Sequence, residues 1–583
     1  MNTIARNIAL TAILAMTVAA GSAQDLNTEV EVRYNVTPQL RDFSKIALTP
    51  TISVPQTATV TPPYSYTDVR VGVPGSITTL EAAAYADTIY TSPWRGYASL
   101  GFMPKYNLGA SAGYKFLDND HTRLNAWLQY DGTAYEGRPM ASGNEAYGRD
   151  RYMRSNTATI GAALHQAVGR ESFIDAGVDY SFSRFNTPTA EDLVNQNLHR
   201  LNVSMLWTLT HDKINYGIGA AYSRFAPTNT LHYRCIDDIT TDHVHYMQPT
   251  RENRYDLYGF FRGRIAGASS AGIDIRLSHL NYNHTATGEA DYMYLLHGGK
   301  LHHTLLSIAP RYCFDVKSFH LDLGVNLDLA FGAGGVFHIA PDAKATWIPS
   351  DLVKVYIGAT GGQHQNTLGT MFDVTPYALP FEAFRNSQIV ADAEAGVTVG
   401  SWKGFFAEIA FNYGIANDWL MPYTSSDDLT TTFMPLDMRG YRLHGKLGYT
   451  YRDLFTVSAS YEMAPQKIDR GYYLWADRAK RVIDVSFSIT PIRPLDINIG
   501  WEYRGDRATA TGGFITDGAT LTPATLLRSL GSINNLKAGA LYRITPQWSA
   551  FITGENLLNR HAYLIGGMPA QGITGLVGAT YKF

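Results

Sequence analysis

The chain consists largely of segments of about ten residues in which apolar and polar side chains alternate. In "LDINIGWEY" (495–503), every odd-numbered residue is apolar and every even-numbered residue is polar or glycine, so each face of a strand has one character. "SFHLDLGVNLDLAF" (318–331) repeats the pattern. Alternating strands of about this length are typical of transmembrane barrels, whereas the strands of soluble sandwiches are usually shorter.

About 22 such segments (18–24) follow one another between residue 95 and the C-terminus. They begin near residues 96, 107, 122, 156, 171, 197, 214, 253, 270, 301, 318, 335, 352, 388, 404, 439, 454, 480, 494, 534, 548 and 574. Short connections such as "VGRES" and "THDK" alternate with long ones such as 227–252 and 506–533. Short periplasmic turns and long extracellular loops characterise outer-membrane barrels. The sequence therefore predicts an all-β, transmembrane antiparallel β-barrel in the outer membrane of a Gram-negative bacterium, with both termini periplasmic.

Composition agrees with this class. The chain has 37 Tyr and 52 Gly, only 17% charged residues and only 2 Cys. No stretch reaches the roughly 18 consecutive apolar residues of a membrane helix. A net charge of −3 gives no reason to expect a nucleic-acid partner, and we expect outer-membrane lipids as the surroundings.

Residues 1–23 have the features of a secretory signal peptide. Arg6 supplies the positive start, an apolar run extends from Ile8 to Ala20, and small residues precede the expected cut before Gln24. Residues 24–94 follow as a proline-rich periplasmic or lumenal segment, and 95–583 form the barrel. Seven of the residues between Gln24 and Trp94 are proline, which favours an extended segment over a compact domain.

The last strand continues to the final residue. "TGLVGATYKF" (574–583) alternates up to Phe583, and a closed barrel must pair this strand with the first one. We expect Tyr581 and Phe583 to lie at the periplasmic interface and to act as a signal for the barrel-assembly machinery.

The C-terminal region resembles that of TonB-dependent receptors. In that family an Asn-Leu-Leu/Phe-Asn/Asp stretch with a nearby Tyr precedes a last strand ending in Phe; the matching residues here are Asn556, Leu557, Leu558, Asn559, Tyr563 and Phe583. The resemblance covers about 95–583 and implies a barrel that imports a nutrient. Family members also carry a folded plug, for which the segment 24–94 is too short, so we predict a barrel without a full plug. The sequence leaves the involvement of TonB open.

The polar faces of the strands predict a set of lumen-facing residues that bind a solute, bind a lumen-filling segment, or simply face water: Asp175, Asp179, Asp274, Arg276, Asp322, Asp328, Asp484 and Glu502.

A histidine-rich region contains candidate metal ligands. In "HYRCIDDITTDHVHY" (232–246), His232, Cys235, His243 and His245 have metal-like spacing, although no standard zinc motif is present. Capture of haem or a transition metal is one hypothesis, and polar loop residues without a ligand are the other. No resident cofactor is predicted.

Two predicted loops are rich in aromatic residues and Met: "MFDVTPYALPFEAF" (371–384) and "IANDWLMPYTSSDDLTTTFM" (415–434). Such loops either cap the pore, dock a surface or periplasmic lipoprotein, or pack on each other.

Three functions remain open at this level. The leading hypothesis is transport of a nutrient by a relative of TonB-dependent receptors. The alternatives are a structural or assembly scaffold for a lipoprotein or another barrel, and an open porin. No nucleophile elbow or phosphate-binding loop occurs, so we do not expect an enzyme. The sequence identifies neither the solute nor the oligomeric state.

Overall fold

The structure, a computed structural model, describes most of the chain from Trp94 to Phe583. The described residues are 94–103, 107–140, 150–188, 193–228, 231–238, 241–247, 250–283, 302–332, 335–378, 385–424, 431–452, 454–464, 466–468, 479–517 and 520–583. The predicted signal peptide and the segment 24–94, apart from Trp94, lie outside these residues. The prediction that the barrel has no full plug therefore stays a prediction.

The described residues form β-strands almost throughout. The strands are β1 (Gly96–Met103), β2 (Asn107–Asp118), β3 (Thr122–Gly137), β4 (Arg151–Ala167), β5 (Ser172–Pro188), β6 (Leu193–His211), β7 (Ile214–Pro227), β8 (Leu231–Asp238), β9 (Thr241–Met247), β10 (Arg251–Ala266), β11 (Ser269–Asn283), β12 (His302–Val316), β13 (Phe319–Phe331), β14 (Phe337–Ser350), β15 (Val353–His364), β16 (Ser387–Trp402), β17 (Phe405–Thr424), β18 (Thr431–Tyr451), β19 (Phe455–Met463), β20 (Gln466–Ile468), β21 (Arg481–Ile492), β22 (Leu495–Gly505), β23 (Ala508–Asp517), β24 (Thr520–Ser529), β25 (Ile533–Arg543), β26 (Trp548–Glu555) and β27 (Thr574–Lys582). One α-helix, α1 (Leu368–Val374), and one 3-10 turn (Ile565–Gly567) complete the elements of the described residues. Within the described residues, no helix has both the length and the apolar composition needed to cross a membrane.

Twenty-two of these strands form one closed antiparallel barrel, as the alternation predicts. Each wall strand pairs with its neighbour along the chain, and β1 closes the wall by pairing with β27, where Tyr97 lies opposite Lys582. Closure leaves no unpaired edge in the wall. The remaining strands extend the loops: β8 and β9 form a separate ribbon, β20 adds to β18, and β23 pairs with β24.

The two ends of the barrel differ. At the end that we call the short-turn end, brief turns connect the strands and both chain ends of the barrel meet. There Gly96 and Phe583 exchange two backbone hydrogen bonds, with N···O distances of 2.8 and 2.9 Å. At the opposite, long-loop end several strands continue beyond the predicted segments; β18, for example, begins at Thr431 and not near 439.

The two faces of the wall follow the alternation of the sequence. On β10 the outward residues include Tyr255, Leu257 and Phe261, each about half exposed, as expected for side chains that contact lipid. The intervening residues of β10, such as Asp256, face the lumen.

The last residues pack as a small aromatic group at the short-turn end. The ring of Phe583 stacks on those of Tyr114 and Tyr581, with centroids 6.1 and 5.9 Å apart, and Trp548 lies 4.7 Å from Tyr581. A Cβ atom at Gly96 would lie 2.6 Å from the Phe583 ring, so this glycine makes room for it. The predicted role of Tyr581 and Phe583 in barrel assembly stays a prediction.

Candidate functional site in the barrel lumen

All eight predicted lumen-facing residues lie on the inner face of the wall. The outer face is identified on their strands by exposed apolar neighbours of the opposite parity, for example Val178 and Tyr180 on β5, Ile275 and Leu277 on β11, and Ile499 on β22. The antiparallel registers carry the inner face from strand to strand, because Arg276 lies opposite Ser307, Ser307 opposite Asp328, and Asp484 opposite Glu502. Whether these residues bind a solute stays a prediction.

The inner face of β10 to β14 carries a dense ion-pair network. The guanidinium of Arg311 lies 3.3 Å from Asp274 and 3.1 Å from Asp342. Nearer the long-loop end, Asp256 forms ion pairs with Arg254 at 2.9 Å and with Arg276 at 3.2 Å. Charges of opposite sign therefore compensate each other along this part of the wall.

Asp322 and Asp328 are more buried than a residue that merely faces water, since each is only 2% exposed. The thiol of Cys313 donates to Asp322 at 3.3 Å. Asp328 accepts a hydrogen bond from the Gln363 backbone N–H at 2.6 Å. Asp328 thus fixes the end of β15, the strand that leads into α1.

A pocket of about 340 Å³ lies on the adjacent part of the wall, between β3 and β10. His165 Nδ1 is 2.7 Å from Asp175 Oδ1, and both side chains are less than half exposed. Arg123, Asn125, Ser204 and Tyr258 complete the polar lining. This pocket offers hydrogen-bonding groups of both kinds to a small polar solute.

The remaining predicted residues are also tied to neighbours. Asn202 donates to Asp179 at 2.8 Å. Glu502 pairs with Lys537 at 2.9 Å and with Arg504, and the strand register places Asp484 directly opposite Glu502.

The loop that joins β15 to β16, residues 365–386, folds across the lumen, and we call it the lumen loop; its described parts are 365–378 and 385–386. Thr367 caps α1: its side chain accepts from the Thr370 backbone N–H at 3.0 Å, and the Thr370 hydroxyl accepts from the Thr367 N–H in return. Such reciprocal caps stabilise a short helix that would be marginal alone.

Contacts of the lumen loop reach strands far from its own. The Glu252 carboxylate on β10 accepts from the Leu368 backbone N–H at 2.6 Å. Arg200 on β6 pairs with Asp373 at 2.7 Å. Tyr377 packs edge-on against Phe185 on β5, with ring centroids 5.9 Å apart. Seven wall strands separate β15 from β5 on the shorter way round the barrel. The loop makes all these contacts only by crossing the interior.

An apolar core forms where the lumen loop crosses. We call it the mouth cluster; its members are Phe225, Leu280, Tyr282, Leu368, Met371, Phe372, Ala378 and Phe433. Leu368 is fully buried and Met371 is 1% exposed. Leu420 packs against the cluster as well, so the two aromatic- and Met-rich loops contact each other through it. The long-loop end is thereby narrowed by packed side chains.

Glu252 lies beyond the membrane-spanning part of β10, whose outward apolar residues begin at Tyr255. Burial raises the pKa of this carboxyl from 4.5 to about 7, although the hydrogen bonds from the Leu368 N–H and Tyr282 oppose the shift. Sequence reasoning missed Glu252 because nothing local indicates that a loop more than 100 residues later docks on it.

The residues of the C-terminal family motif organise a second inward loop, 556–573. The Asn556 side chain donates to the carbonyls of Arg560 and Gln571 and accepts from the Arg560 N–H. Asn559 accepts from the Ile573 N–H at 3.2 Å. Both asparagines have φ of 48°, a left-handed conformation that Asn tolerates. Their observed role is to shape the loop.

The second inward loop also contacts the lumen loop. Met568 packs against Tyr377, and the Tyr563 carbonyl accepts from Arg507 at 2.7 Å. Leu557 and Leu558, in contrast, are exposed at 37% and 47%.

The candidate metal ligands lie on the ribbon of β8 and β9. The backbone register places Cys235 opposite His243, His245 opposite Tyr233, and His232 opposite Tyr246. Their side chains lie outside the described part of the structure, so metal capture stays a prediction.

No family model matches the sequence, and no curated protein matches it either. The structure, however, is similar to solved structures of TonB-dependent receptors. The siderophore receptor PirA of Acinetobacter baumannii is 12% identical, with a TM-score of 0.62 over 84% of this chain and 80% of that one. The ferric enterobactin receptor PfeA of Pseudomonas aeruginosa is 10% identical, with a TM-score of 0.62 over 84% and 81%.

The FrpB iron transporter of Neisseria meningitidis is 11% identical, with a TM-score of 0.61 over 84% of this chain and 81% of that one. At these identities the likeness establishes the fold alone, a closed 22-stranded antiparallel barrel like the barrels of these solved structures.

Proposed function

We propose that this chain is a selective transporter that moves a nutrient across the outer membrane. The observation that supports it most strongly is the lumen loop, which crosses a wide polar barrel and packs the mouth cluster at one end. A loop that packs across the lumen in this way would obstruct free diffusion through an open pore. In the proposed orientation the long-loop end is extracellular and both termini are periplasmic.

The solutes to test first follow from the structural neighbours. PirA and PfeA are described as receptors for a siderophore and for ferric enterobactin, and FrpB as an iron transporter. We therefore infer that a ferric chelate is the leading solute class. The pocket beside the His165–Asp175 pair is the place where we expect a polar part of the solute to bind.

Uptake by cells tests the proposal directly. The full chain is expressed in a Gram-negative host that lacks its own ferric-chelate receptors, and accumulation of ⁵⁵Fe-labelled chelates is compared with an empty-vector strain. Accumulation of one chelate but not of sucrose supports selective transport. Free entry of sucrose indicates a porin. Accumulation of no solute, together with co-purification of a lipoprotein, indicates a scaffold.

The dependence on TonB is a separate question, which the same strains answer when TonB is deleted. Loss of uptake would mean that the N-terminal segment 24–94 contains what TonB engages. Unchanged uptake would agree with a barrel that lacks a full plug.

A further inference from the structure

Four arginines project from the outer face of neighbouring wall strands, at the edge of the apolar band nearest the long-loop end. They are Arg154 on β4, Arg184 on β5, Arg224 on β7 and Arg251 on β10, and all four are exposed. Each lies ten to fifteen residues from the short-turn end of its strand. A spanning strand needs about 9–11 residues, so these guanidinium groups lie at the level of lipid headgroups.

The strand registers join these arginines into a continuous row. Arg184 lies opposite Asn156, two residues from Arg154, and His199 on β6 lies two residues from Asn197, the partner of Arg184. Arg224 is likewise two residues from Ala226, the partner of His199.

Arg251 is in turn two residues from Asn253, the partner of Arg224. Such diagonal neighbours have their Cα atoms about 7–8 Å apart. We call Arg154, Arg184, His199, Arg224 and Arg251 the arginine row.

Among the described residues of these strands, no carboxylate shares the outer face with the row. In the described parts of β4 to β7 and β10, every carboxylate faces the lumen: Asp175, Asp179, Glu252 and Asp256. None of the four guanidinium groups forms a salt bridge with a described residue. Arg481, by contrast, lies on the outer face of β21 and pairs with Asp506 at 2.6 Å.

The surface beneath the row suits acyl chains. Tyr180, Tyr222 and Tyr255 form its aromatic border, and the Tyr180 hydroxyl is 2.6 Å from His199 Nδ1. Exposed aliphatic side chains continue toward the short-turn end; they include Ile160, Val178, Val203, Ile218 and Leu257. The cationic side chains therefore border an apolar strip on its long-loop side. This arrangement complements the anionic headgroup and the acyl chains of a lipid.

We propose that the arginine row binds the phosphorylated headgroup of a lipid in the outer leaflet. The planar guanidinium group forms paired hydrogen bonds with phosphate, and a row of them matches a headgroup with more than one phosphate. The proposal rests on the barrel being in the outer membrane with the long-loop end outside, but on no particular transported solute.

The test uses the purified full chain in detergent. The probe is lipid A that carries two phosphates. Native mass spectrometry measures the bound fraction at increasing lipid A, and dephosphorylated lipid A serves as the second probe. The test variant carries R154Q, R184Q, R224Q and R251Q. The control variant removes four exposed cations near the short turns, namely R170Q, K213Q, R264Q and R493Q.

We expect the test variant to bind lipid A at least about tenfold more weakly than the wild type, because each arginine near the headgroups contributes to anion binding. The control variant should bind as the wild type does, and dephosphorylated lipid A should bind weakly to all three proteins. Equal binding by the wild type and the test variant, or equal binding of both lipids to the wild type, would overturn the proposal.

Folding is checked first by heat-modifiable migration on a gel. If the fourfold variant does not fold, the paired variants R154Q/R184Q and R224Q/R251Q answer the same question, with an expected loss of about threefold or more each.

Discussion

The lumen wall and the mouth cluster differ in polarity, although both lie inside the same barrel. The wall presents charged side chains to water and compensates them in pairs, as Arg311 does between Asp274 and Asp342. The mouth cluster excludes water by packing apolar side chains from three wall strands and the lumen loop, with Leu368 fully buried. The wall is therefore suited to passing a polar solute, and the mouth cluster to preventing its free passage.

The two regions also differ in how their parts are held. Wall residues are fixed by neighbours on adjacent strands, so the loss of one contact leaves the sheet intact. The mouth cluster depends on one crossing loop that is attached by a few contacts, among them Glu252 to the Leu368 N–H and Arg200 to Asp373. Substitutions should consequently have large effects at the mouth and small effects on the wall.

Leu368→Asp should have the largest effect. It places a second carboxylate in a fully buried position close to Glu252, and an uncompensated buried charge costs about 3–5 kcal/mol. We expect the lumen loop to undock, which hydrogen exchange of residues 368–374 reports as loss of protection. Leu558→Asp, in the other inward loop and 47% exposed, is the matched control and should leave α1 protected. Full protection of α1 in Leu368→Asp would contradict the account.

Met371→Ala should weaken the cluster without adding charge. Truncating a buried methionine costs about 2–5 kcal/mol, because the side chain loses its contacts and leaves a cavity. Limited proteolysis at Arg385, an exposed residue near the end of the lumen loop, should become faster than in the wild type. An unchanged cleavage rate would show that the loop is not held by this packing.

Glu252→Gln tests the pH dependence of docking. The folded-state pKa of Glu252 is raised to about 7, so the stability from its protonated form is complete below 4.5 and is lost as the pH rises to about 7. Protection of α1 in the wild type should therefore decline between pH 4.5 and 7 and level off above. Glu252→Gln should remove most of this dependence, and an equal decline in both proteins would assign it to another group.

Arg276→Gln should have the smallest effect. Its partner Asp256 keeps Arg254 at 2.9 Å, and the Arg276 side chain is 55% exposed. Exposed ion pairs contribute about 0–1 kcal/mol, so the thermal unfolding temperature should hardly change. A loss as large as that of Met371→Ala would contradict the contrast between wall and mouth.

The sequence predicts the wall well because lipid and water impose a period of two on every strand. The predicted start of β22 at 494 and of β25 at 534 each lie one residue from the observed one. At the long-loop end the agreement weakens, and β18 starts eight residues before its predicted position. Beyond the membrane no lipid-facing pattern is required, so alternation no longer marks the strand.

The mouth cluster could not be predicted in the same way. Phe225, Tyr282 and Phe433 come from three different strands and meet only because the barrel closes and the loop crosses it. The aromatic and Met content of 371–384 and 415–434 indicated packing loops, but it did not identify Glu252 or Arg200 as their anchors. The alternating pattern of one strand does not indicate which distant loop will pack against it.

Conductance in a planar lipid bilayer tests directly whether the lumen loop closes the barrel. The wild type is compared with a variant in which residues 365–386 are replaced by a short Gly-Ser linker, after both are shown to be folded. The wild type should be silent, and the variant should form large, steady channels. Large channels from the wild type, equal to those of the variant, would contradict closure by the lumen loop.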